Sequence, residues 1–345
     1  MQRRTFIAGL TAASAWPLVA RAQGSAPTPA DVAAMSGPDR TERLVAGAKK
    51  EATVLLYSSA TVEDIGALIE AFEKTYGFPV RIWRGSSEDI LKRVVTEARG
   101  GRFDADVFET GALTMEALHR EKLLQPLAVT ADLAPAAILP HREWTGTRFN
   151  VFAAAYNTKL VQKSELPKSY DDLLDPKWKG RLGIEADDGD WFGTLAEVMG
   201  EERAHTLFRG IVAANGISVR KGHTLLANLV IAGEVPFALT TYAYKVEQLK
   251  KAGAPIDWFV IPPGLARFEG GGVARRAPHP YAAVLFLEFL LTDGQKILLA
   301  RDFFPALRDA KPLPVPLRFI DAAKALDQNQ TWNNQYRDVV LRSAR

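Results

Sequence analysis

Two short stretches of this chain carry oxygen ligands at a density that invites a cation. The first is Glu185-Ala186-Asp187-Asp188-Gly189-Asp190-Trp191, at the expected end of a strand and start of a helix. Carboxylates packed this tightly repel one another and raise their own pKa values, and a cation relieves that repulsion. The spacing is not that of an EF-hand loop, which alternates its acids and places a glycine sixth. The alternative is a solvated acidic loop in which Asp190 caps a helix. The second stretch is Thr240-Thr241-Tyr242-Ala243-Tyr244. If it is extended, Tyr242 and Tyr244 share a face. If a helix starts there, they lie about 200° apart and one of them can face a cleft. Deprotonated phenols bind hard cations, and neutral rings stack on organic ligands or cations. Ordinary core packing is the alternative for both rings.

Three further turns gather small polar residues. They are Tyr57-Ser58-Ser59, Gly85-Ser86-Ser87 and Glu109-Thr110-Gly111, each after an expected strand. In open α/β sheets ligands sit at the carboxyl ends of the strands, against helix N-termini. The hydroxyls and free N–H groups of these turns could hold a ligand's polar atoms. The competing role for the serines is helix capping alone.

The elements that must position these groups alternate regularly. Apolar strands are expected at 53–57, 79–83 and 106–108. Helices over 61–76, 86–98 and 113–119 separate them, with Ile65, Leu68, Ile69 and Phe72 at the spacing of one apolar face. Thr61 with Asp64, and Ser86 with Asp89, form capping boxes. This alternation predicts a parallel sheet covered on both sides. Beyond 149 come short strands at 149–156, 182–185, 218–220 and 237–240, with helices over 191–199, 202–213 and 224–232. An apolar helix follows at 281–291. Extended crossings near Phe149 and Ile261 predict a two-strand hinge. Gly270-Gly271-Gly272 lacks the strand-then-helix setting of a dinucleotide loop and reads as a flexible turn near that hinge.

Composition narrows the function. The chain has 43 Lys and Arg against 40 Asp and Glu, and no cysteine. That removes disulfides, thiolate metal sites, cysteine nucleophiles and a lipidated cysteine. Without the three arginines of residues 1–22 the two signs balance at 40 each, and a nucleic-acid binder would show a basic excess. No nucleotide phosphate loop, His-Glu-x-x-His pair or Gly-x-Ser-x-Gly elbow is present. The five histidines (119, 141, 205, 223 and 279) are scattered without ligand spacing and read as surface or packing residues. No enzyme is indicated and no catalytic cofactor is expected.

The first 22 residues read as a twin-arginine signal. Arg3-Arg4-Thr5-Phe6-Ile7 opens a weakly apolar run, and Ala20-Arg21-Ala22 offers a cleavage site before Gln23. The run is short of the ~20 apolar residues of a membrane anchor. Residues 23–38, rich in Ala, Pro, Gly and Ser, read as a loose linker.

Several segments resemble the extracellular solute-binding proteins of ABC importers, in the branch of ferric-iron binders and their thiamine, polyamine and phosphonate relatives. They include Thr53-Val-Leu-Leu-Tyr-Ser-Ser, Asp104-Ala-Asp-Val-Phe, Tyr156-Asn-Thr-Lys-Leu, Asp175-Pro-Lys-Trp-Lys-Gly-Arg and Phe289-Leu-Leu-Thr-Asp-Gly-Gln. The resemblance implies a type II periplasmic-binding fold. Its two α/β lobes, each a mixed, mostly parallel sheet flanked by helices, would close on a ligand and deliver it to an inner-membrane permease. Lobe 1 would comprise 39–148 and 262–316, and lobe 2 149–261 and 317–345.

Ferric binders of the family use two adjacent tyrosines, often a histidine and a glutamate, and an anion on a Ser/Thr-Gly turn. Here Tyr244 falls on one tyrosine position and Ala243 on the other, with Tyr242 beside it. The histidine position lies in Ser58-Ser59-Ala60, and the glutamate position on Gly111 with Glu109 close by. The anion turn falls on Asp188-Gly189-Asp190, whose charges repel carbonate or phosphate. The same acids suit a metal held directly by oxygen.

The expectation is therefore a monomeric periplasmic carrier, cleaved after Ala22 and not lipid-anchored. Its cargo would be iron(III) or a related hard metal, or else a cationic organic solute such as a polyamine or thiamine-like compound. A periplasmic enzyme on the same fold is the rival of another class. Ser58, Ser59, Ser86, Glu109 and Thr110 would contact the ligand from lobe 1. Asp188, Asp190, Trp191, Tyr242 and Tyr244 would contact it from lobe 2, with Tyr242, Tyr244 and Asp188 on a metal.

Overall fold

Strands and amphipathic helices alternate from residue 54 onward, as their periods require. The computed structural model describes residues 27–341 except 309, 311 and 314, so the expected signal segment lies outside the described residues. Strands β1 (Val54–Ser58), β2 (Val80–Arg84) and β3 (Val107–Gly111) are separated by helices Val62–Tyr76 and Ser87–Arg99. β1 pairs in parallel with β2 on one side and β3 on the other. Both helices start on capped turns. Thr61 Oγ1 accepts from the Asp64 N–H at 3.3 Å. Ser86 Oγ accepts from the Asp89 N–H at 3.1 Å, and the Asp89 carboxylate reaches back to the Ser86 N–H. Each cap is worth about 1 kcal/mol. Ile65, Leu68 and Phe72 on one helix, and Ile90 and Val94 on the other, are buried against the sheet.

The remaining strands are β4 (Thr145–Asn157), β5 (Leu182–Glu185), β6 (Ser218–Arg220), β7 (Phe237–Tyr242), β8 (Ile256–Phe259), β9 (Gly264–Val273), β10 (Phe304–Pro305) and β11 (Leu317–Phe319). The main path of the sheet is β2-β1-β3-β9-β4-β7-β5-β6. The N-terminal part of β4 pairs with β9, and its C-terminal part pairs with β7 and β8. One strand therefore runs through both halves of the molecule. The chain returns through Ile261 and β9. One crossing goes out and the other back, so β4 and β9 are antiparallel within a mixed sheet.

Two large apolar cores lie on either side of this crossing. The first holds Leu44, Phe72, Phe108, Val151 and Phe286. The second holds Trp178, Phe192, Phe208, Phe237, Trp332 and Tyr336. This is the two-lobed architecture. Among the described residues no helix is long and apolar enough to cross a membrane.

Three local expectations are corrected. Gly270–Gly272 form no flexible turn but lie inside β9, paired to β3. A Cβ at Gly270 would meet Trp144 Cε3 at 2.7 Å, and one at Gly271 would meet Leu287 Cδ1 at 2.7 Å. Glycine is there because neighbouring side chains fill the space. In place of a loose linker, Pro29–Ala33 form a short helix with Val32 and Ala33 buried. β4 begins at Thr145, four residues earlier than the apolar run suggested, because Thr145 and Thr147 are buried within the sheet.

Candidate functional site

The crossing strands carry charge on one face. In the β4–β9 register Arg148 lies opposite Glu269 and Asn150 opposite Arg267. Residues two apart on a strand, and residues directly opposed across a pair, share a face. Arg267 and Glu269 are the two positions of β9 that are not fully buried. Together these four side chains make a polar floor between the lobes.

Arg267 is the centre of that floor on the lobe-two side. Its Nη1 donates to both carboxylate oxygens of Asp190, at 3.1 Å each. Its Nη2 donates to the Tyr242 hydroxyl, lies 3.3 Å from His223 Nε2 and lies 3.8 Å from Asp188 Oδ1. The guanidinium carbon sits 5.2 Å from the Phe152 ring centroid. His223 Nε2 is 3.3 Å from Asp188 Oδ1. Glu185, Asp188 and His223 each offer a ligand atom within 4.8 Å of the others, the one such group among the described residues.

The strand ends explain how these groups meet. β5 ends in Glu185, and the helix Gly189–Met199 starts on Asp188, so both acids fall at one edge. β7 ends in Tyr242, and the helix Ala243–Lys251 follows at once. The Tyr242 and Tyr244 rings nevertheless stack, with centroids 6.1 Å apart and planes 19° from parallel. The change from strand to helix between them brings both rings to one side, against the expectation that a helix would separate them. Tyr244 also stacks on Phe303 at 4.0 Å.

Burial and charge set the protonation of this cluster. Burial alone would push the Asp188 carboxyl up, but His223 and Arg267 more than offset it and hold the group below its ordinary range. Burial, then the nearby Asp188 charge, pushes Glu185 up. The expected mutual repulsion thus falls on Glu185 and is relieved at Asp188 by cations of the chain itself. Burial lowers His223, yet Asp188 outweighs it and the imidazole pKa is raised. Burial keeps both Tyr242 and Tyr244 protonated far above the ordinary phenol range.

On the lobe-one side the hub is Glu109. It accepts from Ser58 Oγ at 2.7 Å, from Thr147 Oγ1 at 3.4 Å and from Arg148 Nη1. Arg148 in turn lies over the Phe303 ring at 5.3 Å.

The predicted residues divide accordingly. Asp188, Asp190, Tyr242 and Tyr244 are brought together, and Glu109 lies on the facing side. Ser58 spends its hydroxyl on Glu109. The Ser59 N–H donates to the Glu109 carbonyl. Ser86 is exposed and serves as a cap, while its neighbour Ser87 accepts from Thr110 Oγ1 at 2.9 Å. Trp191 points into the lobe-two core, packed on Tyr170 and Phe208. Arg148, Asn150, His223, Arg267 and Glu269 were not anticipated. The one signal for them is charge alternating with apolar residues in 148–152 and 265–269, masked in β9 by the glycines that follow.

The charged side chains of β4 and β9 meet where the chain crosses between two α/β lobes, an arrangement suited to holding a polar solute. The sequence profile of the bacterial extracellular solute-binding protein family matches residues 58–297, and the chain belongs to that family. It is 25% identical over 289 residues to the Fe(3+)-binding periplasmic protein of Serratia marcescens, covering 79% of this chain and 84% of the relative. It is 26% identical over 266 residues to iron uptake protein A1 of Synechocystis, covering 72% and 73%. Among solved structures, iron-bound HitA from Pseudomonas aeruginosa superposes with a TM-score of 0.70 at 24% identity, over 83% of this chain and 99% of that one. AfuA from Actinobacillus pleuropneumoniae, with fructose-6-phosphate bound, gives 0.71 at 20% identity over 84% and 98%.

Proposed function

We propose that this protein is a periplasmic carrier that captures iron(III) between its lobes and hands it to an importer permease. Tyr242, Tyr244, His223 and Asp188 would be the metal ligands. The observation that carries this is the stacked Tyr242–Tyr244 pair beside the Glu185–Asp188–His223 group. Phenolate and carboxylate oxygen with imidazole nitrogen is a donor set for a hard, highly charged ion. The names of the Serratia and Synechocystis relatives support the same cargo. Export by the twin-arginine route, cleavage after Ala22, a monomeric state without a lipid anchor and the absence of catalysis complete the proposal. The lobe limits are 39–148 with 262–316 and 149–261 with 317–345.

Both phenols are protonated in the free protein, so iron must displace their protons. Affinity therefore rises with pH and binding releases protons. The test is titration of purified protein with ferric citrate. A visible tyrosinate charge-transfer band and a higher melting temperature are expected, since a ligand specific to the native state raises the midpoint. A colourless protein with an unmoved midpoint refutes the proposal.

A further inference from the structure

We infer that Arg267 is a resident counter-cation that fills the cation subsite of the cleft and sets a charge threshold for what can enter. Its guanidinium occupies the place a ligand cation would take. It has two contacts to Asp190 at 3.1 Å, one to the Tyr242 hydroxyl, and Asp188 at 3.8 Å. His223 at 3.3 Å and Arg267 at 3.8 Å balance the Asp188 charge, but hydrogen-bonding capacity in the subsite stays open. Asp188 is fully buried, and neither of its carboxylate oxygens accepts a hydrogen bond of good geometry. A carboxylate that was only structural would use that capacity, because a buried acceptor left open costs its desolvation.

The threshold follows from tethering. Arg267 is attached to β9, so its effective concentration at the subsite is high without any free ligand. A free monovalent ammonium or guanidinium would exchange one positive charge for another and lose the advantage of the tether. A small multivalent ion brings more charge to the same oxygens, and Coulomb attraction grows in proportion. Organic monocations are therefore shut out and multivalent metal ions are not. The Arg267 side chain keeps 22% of its surface exposed, so an incoming ion can reach it. Metal entry then requires the guanidinium to leave Asp190 and Tyr242. The inference rests on the iron proposal only for the identity of the displacing ion.

The experiment uses the full mature chain with methylguanidinium, which copies the end of the side chain, and manganese(II). Isothermal titration calorimetry is run on wild type, Arg267→Ala and Arg267→Lys. R267A should bind methylguanidinium at least about tenfold tighter than wild type, within the usual range of coupling between sites. It should also gain affinity for manganese(II), while R267K stays closed to methylguanidinium. If R267A does not fold, Arg267→Gln removes the same charge and is judged by the same outcomes. Methylguanidinium affinity that is equal in wild type and the neutral variant overturns the inference, and so does tight binding to R267K. The iron proposal is judged separately by the ferric colour of wild type. Uptake of methylguanidinium by R267A with a colourless wild type leaves the plug standing and removes iron. A coloured wild type whose neutral variant gains nothing does the reverse.

Discussion

Replacing Arg148 by methionine should destabilise the protein by about 3 kcal/mol, because it strands a buried carboxylate. Arg148 and Glu109 keep 7% and 1% of their side-chain surface exposed. Removing one partner of a buried ion pair costs about 3–5 kcal/mol. Ser58 Oγ still donates to Glu109 at 2.7 Å after the change, which places the loss at the low end of that range. Lost stacking on Phe303 adds to the cost, since the guanidinium covers that ring at 5.3 Å. For a lobe of ordinary domain size, 3 kcal/mol lowers the melting temperature by roughly 6–12 °C. The assay is thermal unfolding at neutral pH followed by circular dichroism, on Arg148→Met, Glu109→Gln and the double variant. The double variant should recover about 2 kcal/mol relative to the summed singles, because neither charge is then left alone. An R148M loss below about 1 kcal/mol, the level of an exposed ion pair, refutes this reasoning. So does a double variant whose loss equals the sum of the singles.

Three other outcomes are expected. Gly193→Ala should cost about 1–3 kcal/mol or more by overpacking, because its Cβ would lie 2.1 Å from Trp332 Cδ2; urea unfolding measures it. Burial, then the stacked His119 ring 3.7 Å away, holds His141 below its ordinary 6.5. The unfolded chain therefore takes up a proton there more readily than the folded one. The stability tied to neutral His141 is fully present above pH 6.5 and is lost as pH falls through the depressed value. His141→Asn should flatten that acid-side loss in a series of melts, and an unchanged slope counts against it. Tyr244→Phe should abolish most of the ferric charge-transfer band and weaken iron strongly. A variant with the wild-type spectrum would remove Tyr244 from the ligand set.

Local chemistry was legible wherever it depended on neighbours in the chain. The caps at Thr61 and Ser86, the apolar stripes Ile65–Leu68–Phe72 and Ile90–Val94, and the three parallel strands follow from short-range spacing. So does the meeting of Asp188 with Asp190. The sense of their electrostatics was not legible. Crowded acids suggested raised pKa values, yet Asp188 is lowered because His223 and Arg267 arrive from β6–helix and β9 segments far along the chain. Trp191 looked like a cleft residue because it ends an acidic turn, but one helical step rotates it into the core.

Sequence alone determined the class of molecule: periodic strands and helices, two extended crossings, a balanced charge and two clusters of oxygen ligands. Only the tertiary structure decided what those clusters face. The register of β4 on β9 sets Arg148 opposite Glu269 and Asn150 opposite Arg267. A slip of one residue would turn every one of these side chains to the other face. That register is set by packing across the whole sheet, including the close fit of Gly270 and Gly271 against Trp144 and Leu287. No local spacing encodes it, so the arginine that fills the acidic site could not be read from the acidic turn.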